Sequence, residues 1–329
     1  MPFPATLRTF RAVLAAVALF LVASSALAQG AAQTWPNKPV RVVVPFSTGG
    51  TADILGRIVA QQLQKQLGQP FVVENKPGAG ATIGAAEVAK APADGYTLLV
   101  VTPTFSITQY VYSNLPYDGQ KDFVPVGLLM TTPLVLITHP GGAKTPAEFV
   151  QVAKAQPGRL SFSSAGNGST PHLAMELLRQ QTGIDLLHVP FKGGGEAITA
   201  VLAGTTNAYF AAPIEVMQNV KAGKLVILAS TSLTRTPSLA DYPTLAETVA
   251  PGFEVIHYTS LLVKAGTPRD IIEKLSENLV RALQAPEVRE KIVQNGDVPA
   301  GTLAEATALY AKEYPRWGSA VRAANVKPD

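Results

Sequence analysis

The sequence predicts an α/β protein divided into two lobes, and three observations lead there. From Val40 onward, short β-branched runs alternate with helical patterns, the rhythm of helices layered on largely parallel strands. Once an N-terminal leader is removed, about 300 residues remain, more than a single hydrophobic core usually serves. Segments around Met130-Thr131-Thr132-Pro133 and His257-Tyr258-Thr259 read as two crossings between lobes. The expected division is therefore a discontinuous first lobe, residues 29–132 with 256–329, and a second lobe, residues 133–255. Two crossings, unlike one flexible tether, predict hinge motion.

The leader comes first in the chain. Arg8 and Arg11 give it a basic start, Ala12 to Val22 an apolar stretch, and Ala26-Leu27-Ala28 an A-x-A site, the order a secretory signal peptide requires. Residues 1–28 are expected to be removed after Ala28, leaving a periplasmic protein. The apolar run is shorter than the ~20 residues of a spanning helix, and Ser24 and Ser25 interrupt its end. Every later apolar run is broken by Gly, Pro or charge.

Composition narrows the partners. The chain contains no cysteine, which excludes disulfides, thiolate metal sites and a lipid-modified cysteine at the cleavage point. Its 27 Lys and Arg against 23 Asp and Glu give a net charge of +4, part of which leaves with Arg8 and Arg11. Charged residues make up only 15% and no Lys/Arg run occurs, so the electrostatic footprint of nucleic-acid binding is missing. Acidic small molecules remain compatible.

Strands are expected at Val40–Val44, Phe71–Glu74, Thr97–Val101, Leu134–Thr138, Leu160–Ser163, Leu186–Val189, Ala208–Ala211, Val226–Ser230 and Ser260–Val263. The clearest helix is Thr51–Leu67, where Leu55, Ile58, Val59, Leu63 and Leu67 share a face and Gly68 marks the stop. The tail changes character, with three successive helical patterns at Pro268–Gln284, Pro286–Asn295 and Thr302–Ala324. Proline suits the first turn of two of them, Gly296 suits a stop, and Thr302 with Glu305 reads as a capping box. Pro315 is expected to kink the last helix.

One device recurs: a strand, a Gly- and Ser-rich loop, then a helix. It occurs at Phe46-Ser47-Thr48-Gly49-Gly50, at Ala165-Gly166-Asn167-Gly168-Ser169-Thr170-Pro171-His172, and at Phe191-Lys192-Gly193-Gly194-Gly195. Free amide donors at a helix start, backed by the helix dipole, make a site for an anion such as a carboxylate. The first loop falls in one lobe and the others in the second, so they can face each other across a cleft. Asp53, in the first helical turn, reads as loop capping and dipole stabilisation rather than catalysis. His172 sits at a helix mouth that disfavours imidazolium; a neutral ring donating to a carboxylate and a ring packed on its loop are equally open.

Gly78-Ala79-Gly80-Ala81-Thr82-Ile83-Gly84 superficially resembles a dinucleotide loop, but its spacing is wrong and the next strand lacks the acidic residue for a ribose. No cofactor is expected, and this segment is read as a further Gly-rich wall of the cleft. No G-x-S-x-G elbow, H-E-x-x-H motif or phosphate loop occurs, and a triad of Ser169, His172 and Asp185 lacks nucleophile-to-base geometry. Neither catalysis nor a metal site is expected.

Longer motifs add a resemblance. Trp35-Pro36-Asn37-Lys38-Pro39-Val40-Arg41-Val42-Val43-Val44-Pro45-Phe46 leading into Gly49-Gly50 and Asp53, Val73-Glu74-Asn75-Lys76-Pro77-Gly78-Ala79-Gly80, Asp94-Gly95-Tyr96-Thr97-Leu98 and Pro190-Phe191-Lys192-Gly193 resemble the substrate-binding proteins of tripartite tricarboxylate transporters, the Bug family. The resemblance covers essentially the whole mature chain. It implies a periplasmic-binding-protein type II fold whose lobes close over a carboxylate ligand held by backbone amides and hydroxyls, with transporter membrane subunits as partners and a monomeric state. It implies ligand contacts at Phe46–Asp53 and Ala165–His172, and pocket-lining roles for Thr104, Phe105 and Ser106. Ile256-His257-Tyr258-Thr259 departs from the family's usual Trp, and Ala212 stands near the place of a usual Asp. The expected ligand contacts are Phe46, Ser47, Gly49, Gly50, Asp53, Gly80, Thr104, Phe105, Gly168, Ser169, Thr170, His172, Phe191 and Lys192. A carboxylate sensor would share this pocket and differ only in its receiver.

Overall fold

The structure, a computed structural model, describes residues 35–293, 298, 299, 301–324 and 326. The expected leader, its cleavage point and the helix stop at Gly296 lie outside the described residues. In chain order the elements are β1 (Val40–Val44), α1 (Thr51–Leu67), β2 (Phe71–Asn75), α2 (Thr82–Ala89), β3 (Thr97–Val101), α3 (Pro103–Val111), β4 (Phe123–Pro133), β5 (Val135–Thr138), α4 (Pro146–Ala155), β6 (Ser161–Ser164) and α5 (Thr170–Thr182). They continue with β7 (Leu187–Pro190), α6 (Gly194–Leu202), β8 (Ala208–Ala211), α7 (Pro213–Lys221), β9 (Val226–Ser230), α8 (Leu245–Thr248), β10 (Ile256–Lys264), α9 (Arg269–Gln284), α10 (Pro286–Val293), β11 (Val298–Pro299) and α11 (Leu303–Ala324).

Two mixed sheets result. One has six strands in the order β11-β4-β10-β3-β1-β2, the other five in the order β7-β6-β8-β5-β9. The chain leaves the first sheet between Pro133 and Val135 and returns between Ser230 and Ile256, so His257-Tyr258-Thr259 lie within β10 itself. Helices cover both faces of each sheet, so the inner strands are buried on both sides; β3 is buried at every residue.

Helix α1 forms because Leu55, Val59 and Leu63 bury one face against β1 and β3, and Gly68 ends it in the left-handed conformation at φ 73°. The helix predicted from Pro268 starts one residue later, with Pro268 as its N-cap. Thr302 and Glu305 form the expected reciprocal cap, each side chain bonding the other's backbone N–H. Helix α11 runs through Pro315 as one helix, and its Trp317 and Val321 are buried among Phe162, Leu173 and Phe210 of the second lobe. The C-terminal helix thus packs across to the five-stranded half.

The eleven-residue strand β4 was not predicted. Pro125 and Gly127 disguised it, since both are poor central-strand residues. The pairing with β10 absorbs them through register shifts that fall between Thr259 and Ser260 and between Leu261 and Leu262.

Candidate functional site

Five helices, α1, α3, α5, α6 and α7, begin at one narrow cavity between the lobes. Gly50, Thr51 and Ala52 open α1 there, Thr102 and Thr104 open α3, Pro171 belongs to α5, Gly194 to α6, and Ala212 with Glu215 to α7. Each of these helix starts reaches the same place because the strands that precede them, β1 and β3 in one sheet and β6, β7 and β8 in the other, run parallel within their sheet and end toward the cavity, the usual ligand position in open α/β sheets. Five positive dipole ends converge on a space that no Lys or Arg among the described residues lines. Such a site attracts an anion through fixed backbone donors rather than through a mobile cation.

The lobes meet along a seam around this cavity. The Ser47 N–H donates to the Lys192 carbonyl at 3.1 Å, the Thr51 N–H to the Glu215 carboxylate at 2.6 Å, and the Thr170 N–H to Thr104 Oγ1 at 3.2 Å. Glycines make this approach possible. A Cβ on Gly193 would stand 2.3 Å from Ser47 Oγ, and one on Gly195 would stand 2.1 Å from the Thr48 carbonyl oxygen. Gly80, at φ 58°, presses against the second lobe, where a Cβ would come within 2.7 Å of the Asn167 carbonyl. The Gly78–Gly84 segment therefore belongs to the interlobe seam.

Of the residues expected to touch a ligand, Phe46, Gly50 and Thr104 line the cavity. Ser47 lies at the seam with its hydroxyl buried and without a protein partner. Gly49 and Phe191 line a wider, open depression on the other side of Glu215. Lys192 gives its carbonyl to the seam, while the residue itself is exposed. Asp53 is the loop cap: its carboxylate accepts bonds from the Gly49 N–H, Arg57 and Asn75. Burial raises its pKa, but these donors outweigh burial and hold it below the ordinary value.

The remaining expectations land elsewhere. Phe105 does not line the cavity; it stacks on Tyr117 at 6.0 Å and meets Phe123 edge-on at 5.2 Å in the first lobe's core. The start of α5 satisfies its own donors, with Ser169 Oγ accepting from the His172 N–H and His172 Nδ1 from the Gly168 N–H. The His172 ring stacks on His188 at 3.9 Å, inside the second lobe. Burial first, then His188 and Arg179, push its pKa down to about 3. The neutral ring foreseen from the sequence is present, used for packing rather than for lining the cavity.

The structure adds Thr51, Thr102, Tyr209, Glu215 and His257. Thr51 opens the helix recognised at Thr51–Leu67, and Thr102 stands two residues before Thr104, a pocket position that the resemblance implied. Glu215 carries no such mark, because a Glu in a first helical turn is ordinary, whereas His257 lies in the Ile256–Thr259 segment that departs from the family's usual Trp.

Two α/β lobes joined by two crossings, with helix starts gathered at the interlobe cavity, define a protein of the periplasmic-binding-protein type II fold. Comparison specifies it further: residues 55–326 match the family described as tripartite tricarboxylate transporter family receptor, and the chain belongs to that family. It is 33% identical to Protein BugT of Bordetella pertussis over 319 residues, covering 96% of this chain and 98% of BugT. The periplasmic binding protein BugD superposes with a TM-score of 0.86 at 31% identity, over 90% of this chain and 100% of BugD. An R. palustris protein solved with adipate gives the same TM-score of 0.86 and 31% identity, over 90% of this chain and 100% of its own.

Proposed function

We propose that this protein is an exported periplasmic receptor that captures a small carboxylate between its lobes and delivers it to the membrane subunits of a tripartite tricarboxylate transporter. It acts as a monomer, performs no chemistry, and loses residues 1–28 on export. The observation that carries this reading is the convergence of five helix starts on one cavity without a lining cation. Family membership and the adipate held by a structural neighbour support it. The working division is the first lobe, 29–132 with 256–329, against the second, 133–255.

Binding follows from that geometry. A carboxylate entering the parted lobes meets backbone N–H groups and hydroxyls from both sides, and those contacts exist together only when the lobes are closed. The ligand therefore shifts the population toward closure, and the membrane partner reads closure. The test is thermal unfolding of the refolded mature protein against a carboxylate library. A ligand at one hundred times its dissociation constant adds about 2.7 kcal/mol to native stability, a shift of several degrees. Stabilisation by neutral sugars or by metal ions, with none from carboxylates, overturns the reading.

A further inference from the structure

Among the residues that line the interlobe cavity, the only ordinarily charged or proton-exchanging groups near neutrality are Glu215 and His257. Neither was needed to reach the carboxylate reading, and both have unusual surroundings. Glu215 leans across the seam: one oxygen accepts from the Thr51 N–H of the first lobe at 2.6 Å, the other from the Ala212 N–H of its own helix at 3.0 Å. Both oxygens accept backbone N–H bonds and the Thr51 side chain adds another; burial pushes the Glu215 pKa above the ordinary carboxylate value, while these bonds pull it back toward the charged form. Two helix starts of the five, those of α1 and α7, are thus already served by an internal carboxylate. A carboxyl group stands in the wall of an anion site.

His257 stands on the returning strand β10, opposite Thr132 on β4, and is only 5% exposed. Neither ring nitrogen has a hydrogen-bond partner among the described residues. Buried polar atoms are nearly always paired, so an unpaired pair in the wall of a binding cavity points to a ligand as the missing partner. Burial lowers its pKa to about 3, which leaves a neutral ring with one N–H to donate and one bare nitrogen to accept. It offers a hydrogen bond to a carboxylate without offering a positive charge.

We infer that Glu215 and His257 set the ligand class of the cleft: one carboxylate together with one hydrogen-bond donor, a hydroxyl or an ammonium, and not two carboxylates. This rests on the carboxylate reading and narrows it. The first ligand carboxylate takes the free helix-start donors and the His257 N–H. A second carboxylate finds no lining Lys or Arg and faces Glu215, and like charges in a desolvated site repel strongly. A hydroxyl or ammonium at the same place donates instead to the Glu215 carboxylate. The neighbour solved with adipate holds a dicarboxylate.

The experiment is calorimetric titration of the refolded mature protein with ligands matched in length: adipate, 6-hydroxyhexanoate and 6-aminohexanoate, with the corresponding shorter series to remove any effect of size. The wild-type protein binds a hydroxy or amino acid about tenfold or more tighter than the dicarboxylate of equal length. Glu215→Gln reduces that preference to about threefold or less by relieving the repulsion. His257→Leu weakens every member about tenfold without changing their order, and His257→Gln, which keeps a donor, recovers part of the loss. Thermal melts of each variant verify folding. Equal or tighter binding of the dicarboxylate by the wild-type protein overturns the inference while leaving the carboxylate reading intact, as does an unchanged ranking in Glu215→Gln. Failure of every series to bind removes the carboxylate reading itself, and this inference with it.

Discussion

Three stacked rings, Phe162, His172 and His188, show how one residue can look like a ligand group and serve the core. His172 and His188 lie 3.9 Å apart, and Phe162 closes the stack 4.8 Å from His188. His188 Nε2 is bonded to Ser164 Oγ at 2.7 Å. Two imidazolium ions could not share this space, so burial, reinforced by Arg179, lowers His188 to about 4, and burial with His188 and Arg179 lowers His172 to about 3. The sign of the pH effect follows. Unfolded histidines bind protons near 6.5 and the folded ones do not, so the native state loses stability as pH falls from 6.5 toward 4. About 1–2 kcal/mol per buried histidine should be gone at pH 5, and His188→Gln should flatten the slope. Chemical denaturation at successive pH values measures this; equal stability at pH 7 and pH 5 would show that these rings are charged when folded. At this scale the sequence was least legible. It identified Phe46, Gly50 and Thr104, but the direction of a side chain, which separates His172 from His257, depends on strand register and on neighbours distant in sequence.

At the scale of elements, periodicity and caps located most of the architecture. Thr51–Leu67 and its Gly68 stop, the Thr302 cap, and strands Val40–Val44, Thr97–Val101 and Val226–Ser230 all stand where their patterns put them. Strand β4 escaped because its bulges depend on β10, more than a hundred residues away, and no local rule reports such a partner. The loop glycines carry a second lesson. The sequence marks Gly193-Gly194-Gly195 as a loop that opens a helix, and in the structure these glycines make room for the other lobe. Gly195→Ala places a Cβ against the Thr48 carbonyl, which cannot yield as a flexible side chain would. Its expected effect is weaker ligand binding by about tenfold with an unfolding temperature, in the absence of ligand, within a few degrees of wild type. Unimpaired binding would mean that the seam between Gly195 and Thr48 plays no part in the closed complex.

The whole molecule divides its labour between two sheets and one seam. Each sheet buries its strands beneath helices on both faces and thereby fixes where every strand ends. Those ends fix where the helices begin, and five beginnings meet at the cavity. Helix α11 adds a clasp, since Trp317, 2% exposed, packs from the C-terminal segment into the second lobe's core. Two lobes and two crossings were legible because they follow from chain length and from alternating strands and helices. The seam was not, because it is made of backbone approaches that composition only hints at through glycine. The account's central claim is that backbone dipoles, not lining cations, hold a negatively charged ligand. Its most direct test is titration calorimetry comparing a bound carboxylate with its primary amide, which has the same shape and no charge. The account predicts that the amide binds about a hundredfold weaker or not at all, with the preference persisting at high salt because the donors are buried. Equal affinity for acid and amide would contradict it.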